Sequence, residues 1–266
     1  MRARYTAIIA LLCVAALAYA QEQRAPWPSE YFNPKTRNGA GDFDYYALVL
    51  SWSPTHCIAA EGDRDETQCE RRDGQRFGFV VHGLWPQLEQ GYPERCRTAF
   101  RPFVPENIIA SMLDIMPSRG LVIHEYKMHG TCSGLQPAPY FALARRAFRS
   151  IRIPERYQNP FESVYVSPRE LKVDLLRANP QLRPEMLAVN CGGPGNRLID
   201  IRVCLTKNGG PRPCGKNENQ QRLCHADQVL LPPVRSTKRL DTGLKPEEKE
   251  DKPLPRPRLI ESPSSN

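Results

Sequence analysis

Residues 77–87 read Phe77-Gly-Phe-Val-Val-His-Gly-Leu-Trp-Pro-Gln87. β-Branched and aromatic residues dominate this run and suit the pleated, half-buried surface of a strand. It is expected to be a buried strand ending at His82, with Gly83 allowing close backbone approach and Trp85 beside it. A lone histidine at such a place would ordinarily be a hydrogen-bonded core residue. A second stretch changes that weighing. His124-Glu-Tyr-Lys-Met-His-Gly-Thr-Cys132 gathers two imidazoles, a carboxylate and an ammonium within six residues. On a helix, successive side chains lie about 100° apart, so Glu125 and His129 share a face and can act on one group. His124 and His129 are five residues apart, about 140° around the same helix. The zinc-protease helix holds its two histidines four apart, so this spacing argues against a metal-dependent hydrolase.

Together the strand end and the helix can supply two imidazoles, one taking a proton while the other gives one. Val80-Val-His-Gly-Leu-Trp-Pro86 followed by His124-Glu-Tyr-Lys-Met-His-Gly-Thr-Cys132 resembles the two active-site segments of the ribonuclease T2 family, and the likeness of cysteine layout runs from about Tyr45 to Leu230. The resemblance implies an α+β fold: an antiparallel β-sheet core flanked by helices and stabilised by disulfides. It also implies a metal-independent endoribonuclease with no cofactor. Such an enzyme cleaves single-stranded RNA to 2′,3′-cyclic phosphates and then to 3′-phosphates. By the same resemblance, His129 is the base on the 2′-hydroxyl and His82 the acid at the 5′-oxygen, with roles exchanged in the second step. Glu125 and a lysine polarise the phosphoryl oxygens, His124 helps hold the phosphate, Trp85 stacks on a base and Gln87 touches its edge. Tyr92, in the Gly91-Tyr92-Pro93 turn, is a further candidate for base stacking.

The chain departs from the family pattern at three positions. Met128 stands where the family usually has lysine, and Lys127 sits one residue earlier, about 100° away around a helix. Tyr126 replaces a common tryptophan. Gln87 stands where several relatives have an acidic residue, and an amide offers both a donor and an acceptor. Met128 keeps open an alternative, a catalytically weak RNA-binding protein on the same scaffold. The matched acid and base argue for the enzyme.

The rest of the chain bounds the setting. Arg2 and Arg4 precede the apolar run Ala7 to Leu17, and Ala18-Tyr19-Ala20 is a small-x-small cleavage site, so residues 1–20 are expected to be a secretory signal peptide cleaved after Ala20. The run is too short to span a bilayer, so no membrane anchor is expected. Eight cysteines then remain: Cys57, Cys69, Cys96, Cys132, Cys191, Cys204, Cys214 and Cys224. An even count in an exported chain implies disulfides and a secreted or periplasmic location. Sequence alone leaves about 105 pairings. The resemblance implies Cys57–Cys69, Cys96–Cys132, Cys191–Cys224 and Cys204–Cys214. The balance of 37 Lys+Arg against 29 Asp+Glu favours a polyanionic partner without specifying one. RNA is the expected partner, with no stable DNA complex and a monomeric protein.

Residues 21–43 read as an extended leader, 44–235 as a ribonuclease T2-like catalytic domain, and 236–266, mixed in charge and rich in Pro and Ser, as a disordered tail. Within the domain, strands are expected over Asp44–Trp52, Leu198–Leu205 and Leu223–Leu231, and a charged loop over Pro54–Arg72. Helices are expected over Pro105–Met116, over Pro139–Ile153, and from the capping box Ser167-Pro168-Arg169-Glu170 to Asn179-Pro180.

Overall fold

Strand β1 (Tyr45–Trp52) is the axis of the sheet. Its alternation sorts two faces: Tyr46, Leu48, Leu50 and Trp52 enter the hydrophobic core, while Tyr45, Ala47, Val49 and Ser51 point the other way. In this computed structural model, residues 39–59, 67–69 and 76–234 are described. The expected signal peptide, the leader up to residue 38 and the tail from 236 to 266 lie outside the described residues. Residues 39–43 already belong to the folded body: Phe43 is buried and the Gly41 N–H donates to the Cys132 carbonyl at 2.9 Å.

Helix α1 (Ser53–Ile58) follows directly, so the segment expected as a loop begins with a helical turn that Pro54 opens. Next come β2 (Phe79–Gln87), α2 (Glu106–Met112), α3 (Arg119–Met128) and α4 (Pro137–Arg149). Then follow β3 (Val164–Val166), α5 (Pro168–Ala178), β4 (Leu187–Gly192), β5 (Arg197–Leu205), α6 (Gln220–Leu223) and β6 (Val229–Leu231). The sheet order is β2-β1-β5-β6-β3, with β4 also against β5. Pairing is antiparallel apart from the short β5–β6 contact at Arg197 and Leu230. Helices α2 to α5 contribute the apolar faces that cover the core side.

Two expectations shift. The strand expected over Leu223–Leu231 is extended only at residues 229–231; its first residue, Leu223, closes a helical turn capped by the Asn219 side chain. The proline-flanked helix expected from Pro105 stops at Met112, because the chain turns there to enter α3. Strands β3 and β4 had no distinct signal, being three and six residues long.

The site is positioned by an irregularity. Along β1–β2, Leu48 pairs with Leu84 and Val49 with Gly83, but Leu50 pairs with Val81, so His82 is the extra residue of a β-bulge. Val81 and Leu84, of opposite parity, therefore both reach the core, while His82 is turned to the face of Ser51. Without the bulge either His82 would enter the core or Leu84 would leave it. A large apolar side chain is worth about 1.5–3 kcal/mol buried, so the bulge is the stable solution.

The sulfurs join as Cys57–Cys69, Cys96–Cys132, Cys191–Cys224 and Cys204–Cys214, the pairing that the resemblance implies. Cys96–Cys132 ties the segment after β2 to the turn that follows α3, across a sequence separation of 36. Replacing both cysteines by serine is expected to cost about 3–4 kcal/mol. Urea unfolding of the variant against the parent measures this, and a loss well under 1 kcal/mol would show that the segment is held by its other contacts.

Candidate active site

Helix α3 begins with the Ser118 hydroxyl accepting the Leu121 N–H at 3.3 Å. Val122 and Tyr126, four apart, are fully buried against the core, and the Tyr126 hydroxyl donates to the Leu135 carbonyl at 2.8 Å. That seating turns Glu125 toward β2. The helix ends at Met128, and His129 caps it, its N–H donating to the Glu125 carbonyl at 2.9 Å. Glu125 and His129 thus stay on one side of the helix end.

Glu125 is 1 % exposed. Its Oε1 lies 3.3 Å from His82 Nε2, and its Oε2 accepts from Trp85 Nε1 at 2.7 Å. An unpaired carboxylate at this depth would be costly, and both of its oxygens are engaged. Gly83 makes the room: a Cβ there would sit 2.0 Å from Glu125 Oε2 and 2.4 Å from Trp85 Nε1. On its other side, His82 Nδ1 lies 3.1 Å from Ser51 Oγ. The Trp85 ring is stacked with His129, centroids 5.0 Å apart, edge-on to His82 at 5.4 Å, and carries the Arg202 guanidinium at 5.2 Å.

The two imidazoles are biased in opposite directions. For His82, burial is the largest single influence and favours the neutral ring. The Glu125 hydrogen bond and charge, with Asp200, outweigh burial against the repulsion of Arg202, so its pKa is raised. For His129, burial dominates and pulls the pKa down to about 4; Glu125 opposes this, and the charges of His82 and His124 reinforce it. His129 Nδ1 is buried without a hydrogen-bond partner. The proton is thus favoured on His82 and disfavoured on His129.

The other expected site residues fall around this centre. His124 and Lys127 are exposed on α3. Met128 is partly buried, with its sulfur 2.9 Å from Arg95 Nε. Tyr92 is 52 % exposed. Gln87 is buried and its orientation is set by Asn217. The Asn217 Oδ1 accepts the Gly91 N–H at 2.8 Å, which leaves Nδ2 to donate to the Leu88 and Gly91 carbonyls and to Gln87 Oε1 at 2.9 Å. Gln87 Oε1 thus shares the Asn217 amide with two backbone carbonyls. Trp85, expected as a stacking surface for a base, has its ring in contact with His129 and Arg202 and its N–H committed to Glu125.

Ser51, Asp200, Arg202 and Asn217 join the site without having been singled out from the sequence. The segment Leu198–Leu205 carries one signal in the sequence, a pair of charges two residues apart in an apolar strand, which places both on one face. Among the described residues, Cys204, Cys214 and Glu218 lie close enough to suggest a metal site. Both sulfurs are in a disulfide, so neither can act as a thiolate ligand.

The comparisons agree with one another. A family profile described as Ribonuclease T2 family matches residues 43–212. A "Ribonuclease" of Aeromonas hydrophila is 34% identical over 218 residues, covering 79% of this chain and 94% of the relative. "Ribonuclease I" of Escherichia coli is 26% identical over 215 residues, covering 66% of this chain and 80% of the relative. Among solved structures, trichomaglin, titled a novel S-like ribonuclease, superposes with a TM-score of 0.58 at 20% identity, covering 73% of this chain and 99% of its own. RNase NT in complex with 5′-AMP superposes with a TM-score of 0.52 at 20% identity, covering 72% of this chain and 99% of its own. At that identity the superpositions speak for the fold.

Two measurements check the geometry. Titration of the imidazole resonances by NMR should place His82 above the ordinary 6.5 and His129 near 4; the reverse order would undo the assignment of proton holder and lone-pair donor. Gly83→Ala should destabilise the protein by about 1–3 kcal/mol and shift the Trp85 indole N–H resonance, because the new methyl must push Glu125 and Trp85 apart.

Proposed function

The chain belongs to the ribonuclease T2 family and is an endoribonuclease, and from that premise we propose that it cuts single-stranded RNA through the RNA's own 2′-hydroxyl, using His129 and His82 as base and acid. The observation that carries this proposal is the opposite bias of the two imidazoles across one buried carboxylate. RNA carries a nucleophile beside each phosphodiester, so the protein has only to remove its proton, stabilise the crowded phosphorane and protonate the departing 5′-oxygen.

In the first step His129 Nε2 takes the 2′-hydroxyl proton. The freed oxygen attacks the adjacent phosphorus, the bond to the 5′-oxygen breaks, and His82 supplies that oxygen with its proton, leaving a 2′,3′-cyclic phosphate. In the second step His82, now neutral, takes a proton from water; the resulting attack opens the cycle to a 3′-phosphate and His129 returns its proton. Glu125 steadies the cationic form of His82 and orients Trp85. Exposed His124 and Lys127 lie at the rim, where phosphate oxygens of the substrate can be met; Met128 removes the cation that relatives carry next to His129, so turnover is expected to be slower and the reaction unchanged. Gln87 would meet a base edge with its amide, and Tyr92 would offer a ring to stack on. Trp85 would act as a frame for Glu125 and His129.

Four disulfides fit an extracellular or periplasmic setting, in keeping with cleavage of a signal peptide after Ala20. No helix among the described residues is long and apolar enough to cross a membrane.

The test is a time course on a short RNA in the presence of a chelator, with products followed by mass. A 2′,3′-cyclic phosphate that converts to a 3′-phosphate, with a DNA of the same sequence intact, is expected. His82→Ala and His129→Ala should each lose about 10²–10⁴ in rate; cleavage that stops in chelator would overturn the mechanism. The signs of the pH profile follow from the two imidazoles. Activity should fall as pH drops through about 4, where His129 gains a proton, and again as pH rises through the raised pKa of His82, where the acid is lost. Glu125→Gln removes the charge that supports protonated His82, so the basic limb should move to lower pH while the acid limb, set by His129, stays on the acid side.

A further inference from the structure

We infer that Arg202 is a positioning residue of this site, a guanidinium clamp that holds the Trp85 indole, and through it Glu125 and His129, in the reactive arrangement. The inference rests on the proposed reaction for its consequence, but on strand register and side-chain contacts for its content.

Across the sheet, Gly83 pairs with Val49 and Val49 with Arg202, so the two outer residues face the same side with one small aliphatic residue between them. One row along, Trp85 pairs with Ala47. Adjacent strands are about 4.8 Å apart, so Arg202 lies two strands from β2 and must lean across Val49 and Ala47 to meet the indole. It does so at 5.2 Å from the ring centroid, where a guanidinium over tryptophan is attractive.

The clamp is itself held at two points. Arg202 Nε donates to Asp200 Oδ1 at 3.1 Å, and Nη1 lies 3.5 Å from Glu218 Oε1. Asp200 is fixed in turn by Asn190 Nδ2, which donates to its Oδ2 at 2.7 Å, and Glu218 by the Tyr45 hydroxyl. The Arg202 side chain is 15% exposed and those of Asp200 and Glu218 6% and 0%. Burying three charges is a poor way to gain stability, since apolar residues of similar volume often do as well or better. A planar cation fixed on both sides is, however, a good way to fix an aromatic plane. The plane it fixes is the one whose N–H holds Glu125 and whose ring stacks with His129.

The electrostatics are consistent with this role. The charges that act on His82 are Glu125 from α3 and Asp200 and Arg202 from β5, with Arg202 opposing the other two. Arg202 therefore carries two separable properties, its planar contact with Trp85 and its charge near His82. Two variants divide them. Lysine keeps the charge and loses the planar fork; methionine loses both.

The experiment compares the parent protein with R202K and R202M by three readings: kcat and KM on a short RNA, the pH titration of His82 by NMR, and the Trp85 indole N–H resonance, with thermal unfolding to confirm that each variant is folded. Both variants should shift the indole resonance and lower kcat about tenfold or more, with KM changed by less than kcat. His82 should titrate at a higher pH in R202M and close to the parent value in R202K. If R202M leaves Asp200 and Glu218 too poorly compensated to fold, R202K alone decides. A folded R202K with the parent kcat and an unmoved indole resonance overturns the clamp. The two NMR readings need no RNA cleavage: a parent protein that cuts no RNA defeats the proposed function, while the clamp still stands or falls on the indole resonance.

Discussion

Glu125 is a carboxylate sealed from water and shared between an imidazole and an indole, and much of the local structure exists to make that tolerable. A charge at this depth without partners would cost several kcal/mol. His82 and Trp85 supply those partners, but only because β2 bulges at His82 and bears no side chain at Gly83. The helix that carries Glu125 is seated by Val122 and Tyr126 on the core, capped at its start by Ser118, and tied beyond its end by Cys96–Cys132. One buried oxygen pair thus links a bulge, a glycine, a helix cap and a disulfide.

Contact with this carboxylate on one side and burial on the other separate the behaviour of two chemically identical side chains. His82 lies against it, with Ser51 on the other nitrogen, and its proton is favoured. His129 stacks on the indole, with one ring nitrogen buried and unpartnered, and its proton is disfavoured. The sheet completes the arrangement. One face is packed with apolar side chains from helices α2 to α5; the other carries Ser51, Asn190, Asp200 and Arg202, with Glu218 of a following turn against Arg202, a charged network next to His82. Period-two alternation is what allows one set of strands to be a hydrophobic core and an electrostatic frame at once.

The end of β2 at Gln87 is built on different principles. The Leu88–Gly91 turn is fixed by the Asn217 amide, whose orientation is set by a backbone donor and two backbone acceptors. The same amide nitrogen lies 2.9 Å from Gln87 Oε1.

The amino-acid sequence by itself determined that a strand lies within Phe77–Gln87, though not that it runs on past His82 to Gln87, and with it the helix through Glu125, His82 and His129 as a candidate pair, and the likeness to a family. These depend on local composition and spacing, which a linear reading retains. It also carried the i,i+4 relation of Glu125 and His129, because helical geometry is nearly invariant. Tertiary structure decided the rest. His82 is in a bulge because Val81 and Leu84 both need the core, a demand visible only once β1 is paired. Asp200 and Arg202 belong to the site because β5 lies beside β1, and residues more than a hundred positions from His82 become neighbours through strand register. The opposite bias of His82 and His129 has the same origin: burial and partner charges set a proton's affinity, and both are properties of the folded chain.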